Sequence, residues 1–173
     1  MAQKEIKDLK KLNASELKKQ AKKLDDKGEM TVEIGGQEFK LTFDTHFRKT
    51  KIQHLLEDML NFFNEINNDK IGMLEFASPY TALLILKHFT SLDVSDNVSE
   101  AFALLEVLID LEVLGELVGK LPEDEVVKVY EILTKTVENV SENLEDTESE
   151  LEKIKGQVSN EIVKEMIDGD GIN

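Results

Sequence analysis

A chain of 173 residues with 40% apolar but only 6% aromatic side chains has room for one ordinary core and an extended helix, and reads as helical rather than as a β-sandwich. The absence of cysteine excludes a disulfide framework, a thiol nucleophile and a cysteine-based zinc site. A formal net charge of -15 argues against recognition of a phosphate backbone, so nucleic acid is not an expected partner.

The first 28 residues read as a Lys-rich helical arm, with nine lysines against six acids over residues 1–29. Ile6, Leu9 and Leu12 form one stripe and Leu17, Ala21 and Leu24 a second. Asn13-Ala-Ser-Glu16 is placed to form a capping box between them, and Gly28 to end the helix. The opening Met1-Ala-Gln-Lys4 has no apolar signal core, and the longest apolar runs, Tyr80–Leu86 and Leu104–Ile109, fall short of the ~20 residues that span a bilayer. A cytoplasmic location with no membrane partner is expected, the host cytoplasm if the protein is viral.

From Met30 to Phe43 the period changes to two. Val32 and Ile34 alternate with polar neighbours, as do Phe39, Leu41 and Phe43, and Gly35-Gly36 lies between the two runs. Paired glycines supply the positive φ angles of a type I′ turn, so this is a β-hairpin. Two strands cannot stand alone, and the hairpin's apolar face (Val32, Ile34, Phe39, and Leu41 or Phe43) requires cover from helices.

Three helical segments follow. Lys51–Ile66 has a broad apolar face, predicted to pack over the hairpin and to stop at Asn67-Asn68-Asp69. Ser78-Pro79 is a start signal, Ser as cap and Pro at the first helical position, for a helix ending near Ser91. Ser95 or Asn97 then caps Val98–Leu114, apolar on nearly every side and so expected either to be buried centrally or to cover two partners.

Pro122 and the acids Glu123, Asp124 and Glu125 open the last long helix. Val126, Val127, Val129 and Tyr130 are expected to complete the core, while a 3-4 ladder continues through Leu133, Val137, Val140, Leu144, Thr147, Leu151, Ile154 and Val158. That spacing holds one narrow seam on one side of a helix, as a coiled coil requires. Leu144, Leu151, Ile154 and Val158 are the candidate partner-binding seam. Residues 141–152 contain no base, so parallel identical copies would set like charges together. Glu145, Glu148 and Glu152 are therefore assigned to a basic partner, with Lys18, Lys19, Lys22 and Lys23 of the arm as the candidate surface. The chain divides into an arm (1–28), a hairpin and helical core (29–140), and an acidic C-terminal helix with a frayed tail (141–173).

Chemistry is thinly represented. His46, His54 and His88 have no metal-ligand spacing, Gly35-Gly36 leads into a strand rather than a helix N-terminus, and Asp168-Gly-Asp-Gly171 lacks the spaced oxygens of a calcium loop. The C-terminal carboxylates crowd one solvated face instead of a cleft. No catalytic residue, cofactor site or metal site is assigned, and the chain is expected not to be an enzyme.

Thr31-Val-Glu-Ile-Gly-Gly-Gln-Glu-Phe-Lys-Leu-Thr-Phe43 and the acidic, apolar helices after it resemble the tail assembly chaperones of long-tailed bacteriophages. The resemblance covers about residues 30–140; the Lys-rich arm and the long C-terminal helix depart from the family pattern. It implies a small helical domain that shields tape-measure helices and helps recruit tail-tube subunits. The expected function is thus a non-catalytic, oligomer-forming chaperone or adaptor for proteins with amphipathic or basic helices. A permanent virion or scaffold subunit and an acidic nucleic-acid-mimic inhibitor are the alternatives.

Overall fold

The computed structural model describes residues 9–69, 76–136 and 138, and the chain divides into two units, Met1–Val129 and Tyr130–Asn173. The described structure is mainly helical with a two-stranded antiparallel hairpin packed on the helices. In the first unit α1 (Ala14–Lys22) and a 3-10 turn (Lys23–Asp25) lead into β1 (Lys27–Ile34) and β2 (Gln37–Asp44). Helices α2 (Lys49–Asp69), α3 (Ala77–Phe89), α4 (Val98–Asp110) and α5 (Leu114–Gly119) follow. Residues 123–129 are helical and bring Val129 into full burial.

The hairpin turns as its glycines require: Gly35 and Gly36 have φ of 62° and 79°, both in the region that a type I′ turn needs. Strand β1 starts at Lys27, three residues before the expected Met30, because Gly28 is a strand residue and not a helix stop. Gly28 pairs with Phe43, whose ring lies where a Cβ on Gly28 would have to sit. A bare backbone under an aromatic ring extends the ladder without displacing it. The arm's helix ends earlier, at Lys22, and residues 9–13 are not helical.

Met30, Val32 and Leu41 form the buried part of the hairpin face, whereas Phe39, expected to be covered, is 43% exposed towards the tip. The hairpin is anchored at its other end. Ser91 N–H donates to Thr42 O at 2.9 Å, Thr42 N–H donates to Ser91 Oγ at 3.0 Å, and Phe43 bridges Thr90, so the exit of α3 pairs briefly with β2. Phe47 then stacks on Phe89 with ring centroids 3.8 Å apart. Asp44, 5% exposed, has both of its carboxylate oxygens paired, one with Lys27 and the other with Lys51 at 2.5 Å.

The central helix is α3 rather than α4. Tyr80, Thr81, Ala82, Leu83, Leu84, Ile85, Leu86 and Phe89 are all buried, and α2, which was expected over the hairpin, has α3 as its principal neighbour. Ile52, Leu55, Met59 and Phe62 supply the α2 side of that interface, with Phe62 stacked on Tyr80 at 4.0 Å. The start of α3 also differs from expectation: Phe76 is the N-cap, and no side chain caps it. Ser78 is therefore inside the helix. Pro79 falls in the first turn, where a missing N–H costs nothing because those groups have no helical acceptor.

Helix α4 is capped as expected, with Asn97 Oδ1 accepting from Glu100 N–H at 3.1 Å, while Ser95 Oγ donates to Glu100 Oε2 at 2.6 Å. It stops at Asp110 instead of Leu114. Glu112 N–H donates to Ile109 O at 2.9 Å and Val113 N–H to Leu108 O at 3.1 Å, a Schellman closure with Glu112 at φ 59° where glycine is usual. Val113 and Leu108 are both buried behind the turn, which supplies the apolar contact that accompanies this motif. Only Val98, Ala101, Leu105 and Leu108 of α4 are buried, so its apolar character around the remaining circumference is not core. Val127, expected to complete the core, is likewise 48% exposed.

In the second unit, residues 130–136 and 138 are helical, with Thr134 and Thr136 hydroxyls donating to the carbonyls of Tyr130 and Ile132 at 2.9 and 2.8 Å. Val137 and everything from residue 139 onward, including the whole distal seam, lie outside the described residues.

Candidate partner-binding surfaces

The arm is a short helix built by local signals. Asn13 Oδ1 accepts the Glu16 N–H at 2.9 Å, half of the expected capping box, and Lys19 and Lys22 sit in the last turn, favourably placed against the negative end of the helix dipole. None of its residues is buried. Lys18, Lys19, Lys22 and Lys23 are exposed, as are Leu17 at 53% and Leu24 at 45%.

What fastens this helix is Arg48, the sole arginine of the chain. Its Nη2 donates to Ala21 O at 2.6 Å and pairs with Asp25 Oδ1 at 2.6 Å, closing the C-terminal end of α1 and the following turn against the start of α2. A planar guanidinium can serve a carbonyl and a carboxylate together, which a lysine ammonium does less well. Sequence reasoning missed this residue, although one arginine among twenty lysines was a visible signal.

Beside the clamp, Leu24, His46, Phe47, Arg48, Lys49, Thr50, Glu125 and Lys128 line a cleft of about 440 Å³. Glu125 spans it: its Oε2 accepts the Phe47 N–H at 2.8 Å and the Lys128 ammonium at 2.5 Å. Burial pushes the Glu125 carboxyl up, but these two donors outweigh it and hold it below the usual carboxylate range. The first turn of α2 contains no acid, so Glu125 supplies negative charge where the helix dipole favours it.

A second polar cluster joins α2 to α3. Asp58 Oδ2 accepts both Lys87 Nζ and His88 Nε2 at 2.8 Å, and Lys87 also reaches Asp96 at 2.7 Å. Burial lowers the His88 pKa more than the Asp58 bond raises it, so the imidazole is neutral at pH 7 and donates through Nε2–H. For Lys87 burial also acts downward, but its bonds to Asp58 and Asp96 prevail and its pKa lies above the ordinary value. Tyr80 is pushed up to about 12, first by burial and then by the nearby Asp58 charge, so its hydroxyl stays protonated. The cluster bolts two helices together with charge-assisted bonds.

Of the three histidines, His54 bonds Glu57 at 3.1 Å on the surface, His88 belongs to this bolt and His46 lines the cleft. Among the described residues no group of three or more His, Asp or Glu side chains is arranged to hold a metal, and no helix is long and apolar enough to cross a membrane. Of the arm lysines, Lys18, Lys19 and Lys22 lie on α1 and Lys23 opens the 3-10 turn that follows it. Leu144, Leu151, Ile154 and Val158, with Glu145, Glu148 and Glu152, lie outside the described residues.

The other feature of the surface is the outer face of α4. Val107 is 49% and Leu111 48% exposed, flanked by exposed Glu106 and Asp110. Over residues 98–119 there are five acids and no base. Together these features define a mainly helical, hairpin-bearing domain that displays a basic helix and an acidic, partly apolar one.

A family model, YomO, matches residues 14–168. The chain belongs to the YomO family, a phage-related family. The match begins at the first residue of α1 and continues into the C-terminal region, so α1 is part of the family's unit. No curated protein and no solved structure matches the chain.

Proposed function

We propose that the protein is a non-catalytic assembly chaperone or adaptor that binds amphipathic or basic helices of protein partners, in phage tail assembly. The observation that carries this reading is α1: a helix that is capped and clamped yet buries nothing is held ready for a partner. Nine residues of helix are marginal in isolation, and the body of the domain commits a half-buried arginine to keeping them in place. Membership of a phage-related family and the acidic, helical, hairpin-bearing domain support the tail-assembly setting. In this reading the seam at Leu144, Leu151, Ile154 and Val158 contributes the apolar contact. The arm lysines and Glu145, Glu148 and Glu152 provide charged contacts, and no cofactor, nucleic acid or membrane takes part.

The test is particle composition. In cells producing the phage, the protein should be abundant in lysates and absent from purified particles, and charge reversal of Lys18, Lys19, Lys22 and Lys23 should reduce the yield of complete tails. Recovery of the protein in fixed stoichiometry from finished particles would instead make it a permanent structural subunit.

A further inference from the structure

We propose that the α1 arm of one copy docks on the outer face of α4 in a second copy, head to tail and with the two helices parallel. On both surfaces the large side chains are exposed, and only the small Ala21 is half-buried. On α1, Leu17 and Ala21 are spaced i, i+4, and Lys18 and Lys22 repeat that spacing one residue later. On α4, Val107 and the C-cap residue Leu111 are spaced i, i+4, and Glu106 and Asp110 repeat it one residue earlier. In parallel helices the flank that follows the seam on one helix meets the flank that precedes it on the other, as e and g positions do in coiled coils. Parallel docking therefore sets Lys18 and Lys22 beside Glu106 and Asp110 while Leu17 covers Val107 and Leu111.

Charge selects the occupant. An isologous, antiparallel α4 contact would set Glu106 and Asp110 against their own copies, and an arm-to-arm contact would do the same with lysines. Among the described residues none of Lys18, Lys22, Glu106 and Asp110 has an ion-pair partner, so each is available to the other surface. A contact between two different faces of the same protein is heterologous and builds rings or open chains instead of closed dimers. The inference concerns self-association and is separate from the identity of any tail protein.

Light scattering and native mass measurement on the full chain, from low to high micromolar and at low and high salt, test it. The wild type should associate progressively and less at high salt. K18E/K22E and E106K/D110K should each weaken association by about tenfold or more, and mixing the two variants should restore it, since each then meets opposite charge. L144D/L151D should associate like the wild type. The proposal is overturned if the wild type stays monomeric throughout, if the reversals change nothing, or if mixing fails to rescue variants that circular dichroism shows to be folded. Loss of association in L144D/L151D overturns it too, by assigning the contact to the C-terminal seam.

Discussion

Helices α3 and α1 adopt the same backbone conformation for different reasons. In α3 eight of thirteen residues are buried, no side chain caps the N-terminus, and a proline sits in the first turn. In α1 nothing is buried, and the helix relies on Asn13 at one end and Arg48 at the other. Removing a Leu side chain from water contributes roughly 1.5–3 kcal/mol, whereas a cap contributes ~1 kcal/mol. The first helix is consequently set by what surrounds it, and the second by a few directional bonds that leave its sides unburied.

That contrast breaks most visibly in the core. Leu83→Ala should destabilise the protein by about 2–5 kcal/mol in urea or thermal unfolding, through lost burial and a residual cavity. Leu17→Ala, half-exposed on α1, should change global stability by no more than ~0.5 kcal/mol. Comparable losses at the two sites would mean that α1 is as integral as α3.

Arg48→Met, which keeps the stem but removes the guanidinium, should cost about 1.5 kcal/mol, felt mainly as release of the arm. Trypsin should then cut at Lys22 and Lys23 faster than in the wild type while cleavage elsewhere is unchanged. Equal protection in both proteins would show that the clamp does not hold the arm.

Asn13→Ala should loosen α1 by ~1 kcal/mol. Amide exchange in residues 14–22 should accelerate while the global unfolding midpoint stays put, because α1 opens without the core. A shift in that midpoint would tie the arm to the cooperative unit.

The smallest effect concerns the bolt between α2 and α3, and its sign follows from His88. The folded pKa lies below the ordinary 6.5, so the unfolded chain takes up the proton more readily. Stability is therefore complete above that value and declines as pH falls through it towards the folded pKa. Urea midpoints should drop between pH about 7.5 and about 5.5, and His88→Gln should flatten that part of the profile. The opposite slope would mean that Asp58 holds the imidazole charged.

Several of these features were legible in the residues alone because their causes are local. Gly35-Gly36 dictated a turn with two positive φ angles, Asn13 and Asn97 each capped the helix that followed, and the change of period at the hairpin held. The errors arose where a local pattern admits two outcomes. Val98–Leu114 admitted both a buried centre and a cover for two partners because apolar content does not say which side is buried, and Ser78-Pro79 looked like a cap because a proline is tolerated throughout a first turn. Of the candidate site, the lysine-rich arm was readable as an exposed element, but its tether was not.

Sequence by itself thus determined the turn, the caps, the presence of an amphipathic basic arm and the mainly helical class, all set by interactions within about four residues. Tertiary structure decided that Gly28 lies under Phe43, that α3 is the centre, that Glu112 closes α4 and that Arg48 holds the arm. Each of those outcomes depends on which distant group arrives at a given surface, and no spacing along the chain records that.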